Sequence, residues 1–69
     1  MNIYAADIRA DQKIVTRHVS PDAEIFEREV IVDFIEVLES GDVHVQGYYE
    51  DNGDDYERVL DPDDELKVA

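Results

Sequence analysis

Covalent catalysis needs a hydroxyl or thiol beside a base that a third group orients. The chain offers Thr16, Ser20 and Ser40 as hydroxyls, His18 and His44 as bases, and no cysteine. No elbow-type spacing surrounds any of them. Ser20 reads as a cap or turn residue and Ser40 as a hairpin residue, so no catalytic group is assigned and no enzyme is expected. Paired carboxylates for general acid–base work cannot be singled out among 19 acids, and so short a chain has little room for a water-excluding cleft. Asp51-Asn52-Gly53-Asp54-Asp55 and Asp61-Pro62-Asp63-Asp64-Glu65 supply the hard oxygen ligands that calcium takes. Neither follows the acid spacing of an EF-hand loop, and both read as solvated turns. The two histidines lack ligand spacing. No metal and no cofactor are expected.

What remains is charge. The 69 residues carry 19 Asp+Glu against 6 Lys+Arg, a formal balance of −13. Residues 1–20 set Arg9, Lys13 and Arg17 against Asp7 and Asp11, a local +1; residues 21–69 set Arg28, Arg58 and Lys67 against the other 17 acids, a local −14. Such a field excludes an unaided grip on DNA, RNA or anionic membrane, which needs clustered Lys and Arg to replace counterions. Without cysteine there is no disulfide framework. No apolar run approaches ~18 residues, and Met1 leads into no basic-then-apolar segment, so a soluble cytoplasmic protein is expected. An apolar share of 43% with six aromatics is too high for a disordered acidic tail. The expectation is one small folded domain, 1–69, with a thin stability margin.

Turn signals divide the second half of the chain. Glu39-Ser40-Gly41-Asp42 and Asp51-Asn52-Gly53-Asp54 read as turns, the Asn-Gly pair suiting a type I′ hairpin. Between them Val43–Tyr49 alternates, with Val43, Val45, Gly47 and Tyr49 on one face. Tyr56–Leu60 reads as a shorter strand, Pro62 as a breaker, and Leu66–Val68 as a final strand. Residues 21–40 admit two readings. Ser20-Pro21-Asp22-Ala23-Glu24 is a helix-start pattern, and Phe26, Val30, Ile31, Phe34, Ile35, Val37 and Leu38 fall on one half of a helical wheel. Against this stand six β-branched residues, and Ile25 and Val32 on the polar side. As a strand, the segment puts Val30, Val32, Phe34 and Leu38 on one face and Ile31, Ile35 and Val37 on the other. That suits a long bent strand buried on both sides, and it is preferred.

Ala6-Asp7-Ile8-Arg9-Ala10-Asp11-Gln12-Lys13-Ile14-Val15 resembles the D-L-x-x-G-D-x-I opening of SH3-like barrels, with Ala10 and Asp11 standing where that pattern has Gly-Asp. Leu60-Asp61-Pro62-Asp63-Asp64-Glu65-Leu66 is similar to the short 3₁₀ turn before their last strand. The resemblance implies a mainly β fold: a small five-stranded SH3-like barrel or a strongly bent antiparallel sheet. The alternative is an α+β fold with one helix over 21–40 packed on an antiparallel sheet.

On such a scaffold the acids form rows: Glu36, Glu39 and Asp42; Glu50, Asp51, Asp54, Asp55 and Glu57; Asp61, Asp63, Asp64 and Glu65. Same-face residues of a strand recur every ~6.7 Å and neighbouring strands lie about 4.8 Å apart. Acids on two or three adjacent strands therefore approach the density of duplex DNA, roughly one charge per 1.7 Å of axis. Tyr48, Tyr49 and Tyr56 flank the Asn52-Gly53 turn, and acids interleaved with tyrosines suit an Arg/Lys-rich protein surface. In size and acidity the chain resembles phage-encoded DNA mimics of the anti-restriction and anti-CRISPR type. That resemblance implies an inhibitor in the host-cell cytoplasm, bound to the basic surface of a nucleic-acid-binding protein and not to nucleic acid or membrane. The alternative function is a small acidic adaptor or structural module, acidic through halophilic adaptation or for solubility. Free strand edges admit a homodimer with Phe26 or Val32 buried across a two-fold.

Overall fold

Ile25, Val30, Ile31, Val32, Ile35 and Val37 carry the branched Cβ that crowds a helix and fits a pleated sheet. The computed structural model, which describes Met1–Ala69, places all six in one strand, Ile25–Val37. The helix over 21–40 is thus not formed. Its start signal serves a turn instead: the Ser20 hydroxyl accepts the Glu24 N–H (3.1 Å), as an N-cap would, while Ser20 N–H donates to the Glu24 carbonyl and reverses the chain. A polar cap satisfies either structure, and the branched run that follows selects the strand.

Six strands form, all antiparallel: β1 (Asn2–Tyr4), β2 (Lys13–Val19), β3 (Ile25–Val37), β4 (Val43–Tyr49), β5 (Asp55–Leu60) and β6 (Glu65–Val68). Their order is β1-β6-β2-β3-β4-β5. The fold is mainly β, with one strand more than the five expected, because Asn2–Tyr4 finds a partner in β6. β1 and β5 are free edges, so the sheet is bent but not closed into a barrel. A 3₁₀ turn, Ala5–Asp7, follows β1 and is held by Ala5 and Ala6 N–H groups donating to the Asp64 and Pro62 carbonyls. No helix is long and apolar enough to cross a membrane.

Cross-strand partners share a face, which fixes the two sides of the sheet. The inner face carries Ile14, Val30, Val32, Val43 and Val45, all but fully buried, with Tyr56, Ala5 and Ile8 completing the core. Leu66 and Val68 also face inward, opposite Ile3 and Ile14, and Lys67 faces out, as the alternation requires. In β3 simple alternation fails. Val32 pairs with Gly47 but Phe34 with Gln46, so Asp33 is an extra, bulged residue. Beyond it Ile35 and Val37 join Val30 and Val32 on the inner side, while Phe34 turns outward to the exposed face. Of the two residues offered to a two-fold, Val32 is 0% exposed and lies inside this core; Phe26 is 43% exposed.

The turns also depart from expectation. Asn52-Gly53 is not a type I′ pair, since Gly53 alone has positive φ (+77°). The loop spans Glu50–Asp54, with Gly53 N–H donating to the Tyr49 carbonyl and Tyr49 N–H to Asp54. The β2–β3 and β3–β4 turns repeat one hydrogen-bond pattern. Ala23 and Gly41 donate to Ser20 and Leu38, and Ser20 and Leu38 donate to the Glu24 and Asp42 carbonyls. The left-handed position of that pattern is Gly41 in one turn and Ala23, at φ +63°, in the other.

Two stability predictions follow from backbone geometry. Ala23→Gly relieves the left-handed alanine and should raise unfolding stability by about 1 kcal/mol in a urea melt; no gain would contradict the strain. Gly47→Ala should cost about 1–3 kcal/mol, because its Cβ would collide with the rigid Ile31 carbonyl beside the bulge; an unchanged midpoint would contradict that close approach.

Candidate functional site

Three rows cross the outer face of β3, β4 and β5: Ile31–Tyr48–Asp55, Phe34–Gln46–Glu57 and Glu36–His44–Val59. Glu57 stands at the centre. The Gln46 amide donates to its Oε2 at 2.7 Å, and His44 Nε2 lies 2.8 Å from the same oxygen. These contacts, the Gln46 bond foremost, hold the Glu57 carboxyl below its ordinary pKa. His44 Nδ1 lies 3.8 Å from Glu36 Oε1, so one imidazole spans two carboxylates. Asp33, pushed outward by the bulge, joins Gln46, Asp55 and Glu57 around a notch of about 280 Å³. This half of the outer face holds Asp33, Glu36, Asp55 and Glu57, and no Lys or Arg.

The other half is different. On the outer side of β2 and β6, Lys13 pairs with Glu50 (2.9 Å) and Glu29 (3.3 Å), and Lys67 with Glu27 (3.3 Å). The Glu50 and Glu29 contacts hold the Lys13 ammonium above its usual range. At the tip of the β4–β5 loop, Arg28 donates two parallel bonds to Asp51, Nε to Oδ2 and Nη2 to Oδ1, both 2.9 Å. This fork lowers the Asp51 pKa and raises that of Arg28. Lys13, Lys67 and Arg28 thus stand beside Glu27, Glu29, Glu50 and Asp51 and away from Glu36, Asp55 and Glu57.

The residues singled out from sequence are therefore distributed unevenly. Glu36, Asp55 and Glu57 share the cation-free half. Glu39 and Asp42 lie in the turn at its end, and Asp61 follows Leu60, the partner of Val43, so the β5–β6 turn leaves at that same end. Within that turn Asp61 and Asp64 accept backbone N–H groups of Asp63 and Asp61, which fixes the loop. Asp63 is exposed there, and Glu65 faces outward on β6 opposite Tyr4. Glu50 and Asp51 are spent on Lys13 and Arg28; Asp54 bonds Asn52 beside them. The tyrosines separate. Tyr48 is outward and 40% exposed, Tyr49 is inward beneath the Arg28 guanidinium (3.7 Å), and Tyr56 is in the core. Burial pushes the Tyr56 hydroxyl pKa up. Asp33 was not among the residues singled out, although a lone acid inside Val30-Ile31-Val32-Asp33-Phe34-Ile35 is a bulge signal.

Thr16 Oγ1 lies 2.8 Å from His18 Nε2 and donates to the Arg28 carbonyl (3.1 Å). Ser20 and Ser40 accept N–H bonds within their own turns. No three His, Asp or Glu side chains are grouped to hold a metal ion. Neither a protein-family model, nor a curated protein, nor a solved structure matches the chain.

The Asp51–Arg28 fork generates a pH signature. A carboxyl whose pKa is lowered by folding adds stability above the ordinary range, about 4, and loses it as pH falls through the lowered value. Asp51→Asn should be less stable than the parent near neutrality, with the gap closing in acid. A gap independent of pH in paired thermal melts would refute the assignment.

Proposed function

We propose that the protein is a non-enzymatic inhibitor that presents DNA-like charge to the nucleic-acid groove of a basic host defence complex, of the anti-restriction or anti-CRISPR kind. The observation that carries this reading is the cation-free half of the outer face. Asp33 and Glu36 on β3 and Asp55 and Glu57 on β5 flank the acid-free strand β4, with further acids in the turns at one end. At a strand spacing of about 4.8 Å the β3 and β5 acids form two rows roughly 10 Å apart across β4, a stiff array that can compete with phosphates for Arg and Lys. Tyr48, exposed between Ile31 and Asp55, adds a ring for a partner guanidinium. Partition of the cations matters equally, since pairing with Lys and Arg is confined to the opposite half and only His44, between Glu36 and Glu57, faces the acids of this one.

Its working compartment on this reading is the host-cell cytoplasm, and its scaffold is an SH3-like barrel left unclosed. Support for the scaffold comes from Ile8, which plugs the core, and from the turn at Asp11 that leads into β2.

The test is competition. Added to purified restriction and CRISPR effector complexes, the protein should displace duplex DNA and lose affinity roughly tenfold or more as salt rises from low to physiological. The triple change Glu36→Gln, Asp55→Asn, Glu57→Gln should weaken binding at least about tenfold, whereas Glu27→Gln with Glu29→Gln should not. Failure to displace DNA from any such complex, by protein that stays folded in dilute buffer, removes the proposal. Unfolding in dilute buffer with recovery in molar salt would favour a halophilic adaptor instead.

A further inference from the structure

Five clefts indent the surface, and in four of them the wall includes at least one carboxylate. The fifth, about 270 Å³, has none. It lies on the open seam of the sheet, where β6 leaves the edge of β2 and β5 has no neighbour. Arg17, His18, Tyr49, Arg58, Leu60 and Leu66 are in its wall. Lys13, Arg28 and Lys67 are all ion-paired; Arg58 is not, and Arg17, also unpaired, stands opposite Glu27 on the outer face. Arg58 shares the inner face with Val45 and lines the cleft beside Tyr56 and Leu60. The His18 ring is fixed by Phe26 stacked at 5.5 Å, by Tyr49 edge-on at 5.6 Å and by Thr16 at 2.8 Å.

We propose that this seam binds a small aromatic carboxylate, its charge on Arg58 and its ring against Tyr49, Leu60 and Leu66. The chain as a whole, with a net charge of −13, repels an anion. Here the local sign reverses, and a guanidinium free of intramolecular partners can take a carboxylate in fork geometry. The volume falls just under the ~300–1,000 Å³ of drug-sized pockets, which suits a one- or two-ring acid. The site lies on the opposite side of the sheet from the acidic outer face, so it does not depend on the inhibitor reading.

The test is an NMR titration of the full chain with 1-naphthoate, and with 1-naphthalenemethanol as its uncharged counterpart. Saturable shifts at Thr16, His18, Tyr49, Arg58 and Leu66 are expected with naphthoate at millimolar concentration. The alcohol and the Arg58→Gln variant should each bind roughly tenfold more weakly. Glu57→Gln, adjacent to Arg58 but facing outward, should not weaken binding. Absence of saturable shifts, equal binding of the alcohol, or full affinity in a folded Arg58→Gln protein overturns the proposal. Should Arg58→Gln lose its dispersed spectrum, the comparison of acid and alcohol decides alone.

Discussion

The bulge at Asp33 is the constraint on which the rest of the molecule depends. A strand of thirteen residues with strict alternation would place Val30 and Val32 on one side and Ile35 and Val37 on the other. One extra residue brings all four to the same side, so that Val30, Val32 and Ile35 meet Ile14, Val43 and Val45 around a single core. In so small a chain there is apolar material for only one such core. The same residue bends the strand and projects a carboxylate outward. Core formation and surface charge are thus outcomes of one insertion in the ladder, and Gly47, directly across from Val32, is the backbone gap that accommodates it.

Electrostatics follows the topology. Lys13 of β2, Lys67 of β6 and Arg28 of β3 stand beside the acids that need them, in largely exposed pairs that each contribute little to stability. Their consequence is spatial. By offsetting part of the charge of Glu27, Glu29, Glu50 and Asp51 they leave the outer face of β3, β4 and β5 as the part where carboxylates face no Lys or Arg. A uniform spread of the same charges would have given no direction to the field.

Much of this was legible in the residues. Alternation in Val43–Tyr49 fixed its inward face, and the glycine-bearing segments marked both hairpins. The branched residues of 25–37 outweighed a persuasive helix-start pattern, because Ser20 can cap a turn as readily as a helix. Neither the bulge nor its effect on Phe34 could be read by counting in twos. The tyrosines misled for a related reason. Tyr56 looks like a surface neighbour of the Asn52-Gly53 turn, yet the loop is longer than a two-residue hairpin and the register sets Tyr56 opposite Gly47, where no side chain competes for the interior. Local pattern gives faces; register gives neighbours, and it depends on turn length.

The unpaired margin of β5 has a consequence for life at high concentration. An exposed strand border with Val59 on it invites stacking of one molecule on another into fibres. Asp55 and Glu57 alternate with Tyr56 and Arg58 along that border, so two molecules meeting border to border bring carboxylate against carboxylate. Like charges opposed in this way disfavour the ladder. The acids of this strand therefore act as gatekeepers against border-to-border stacking.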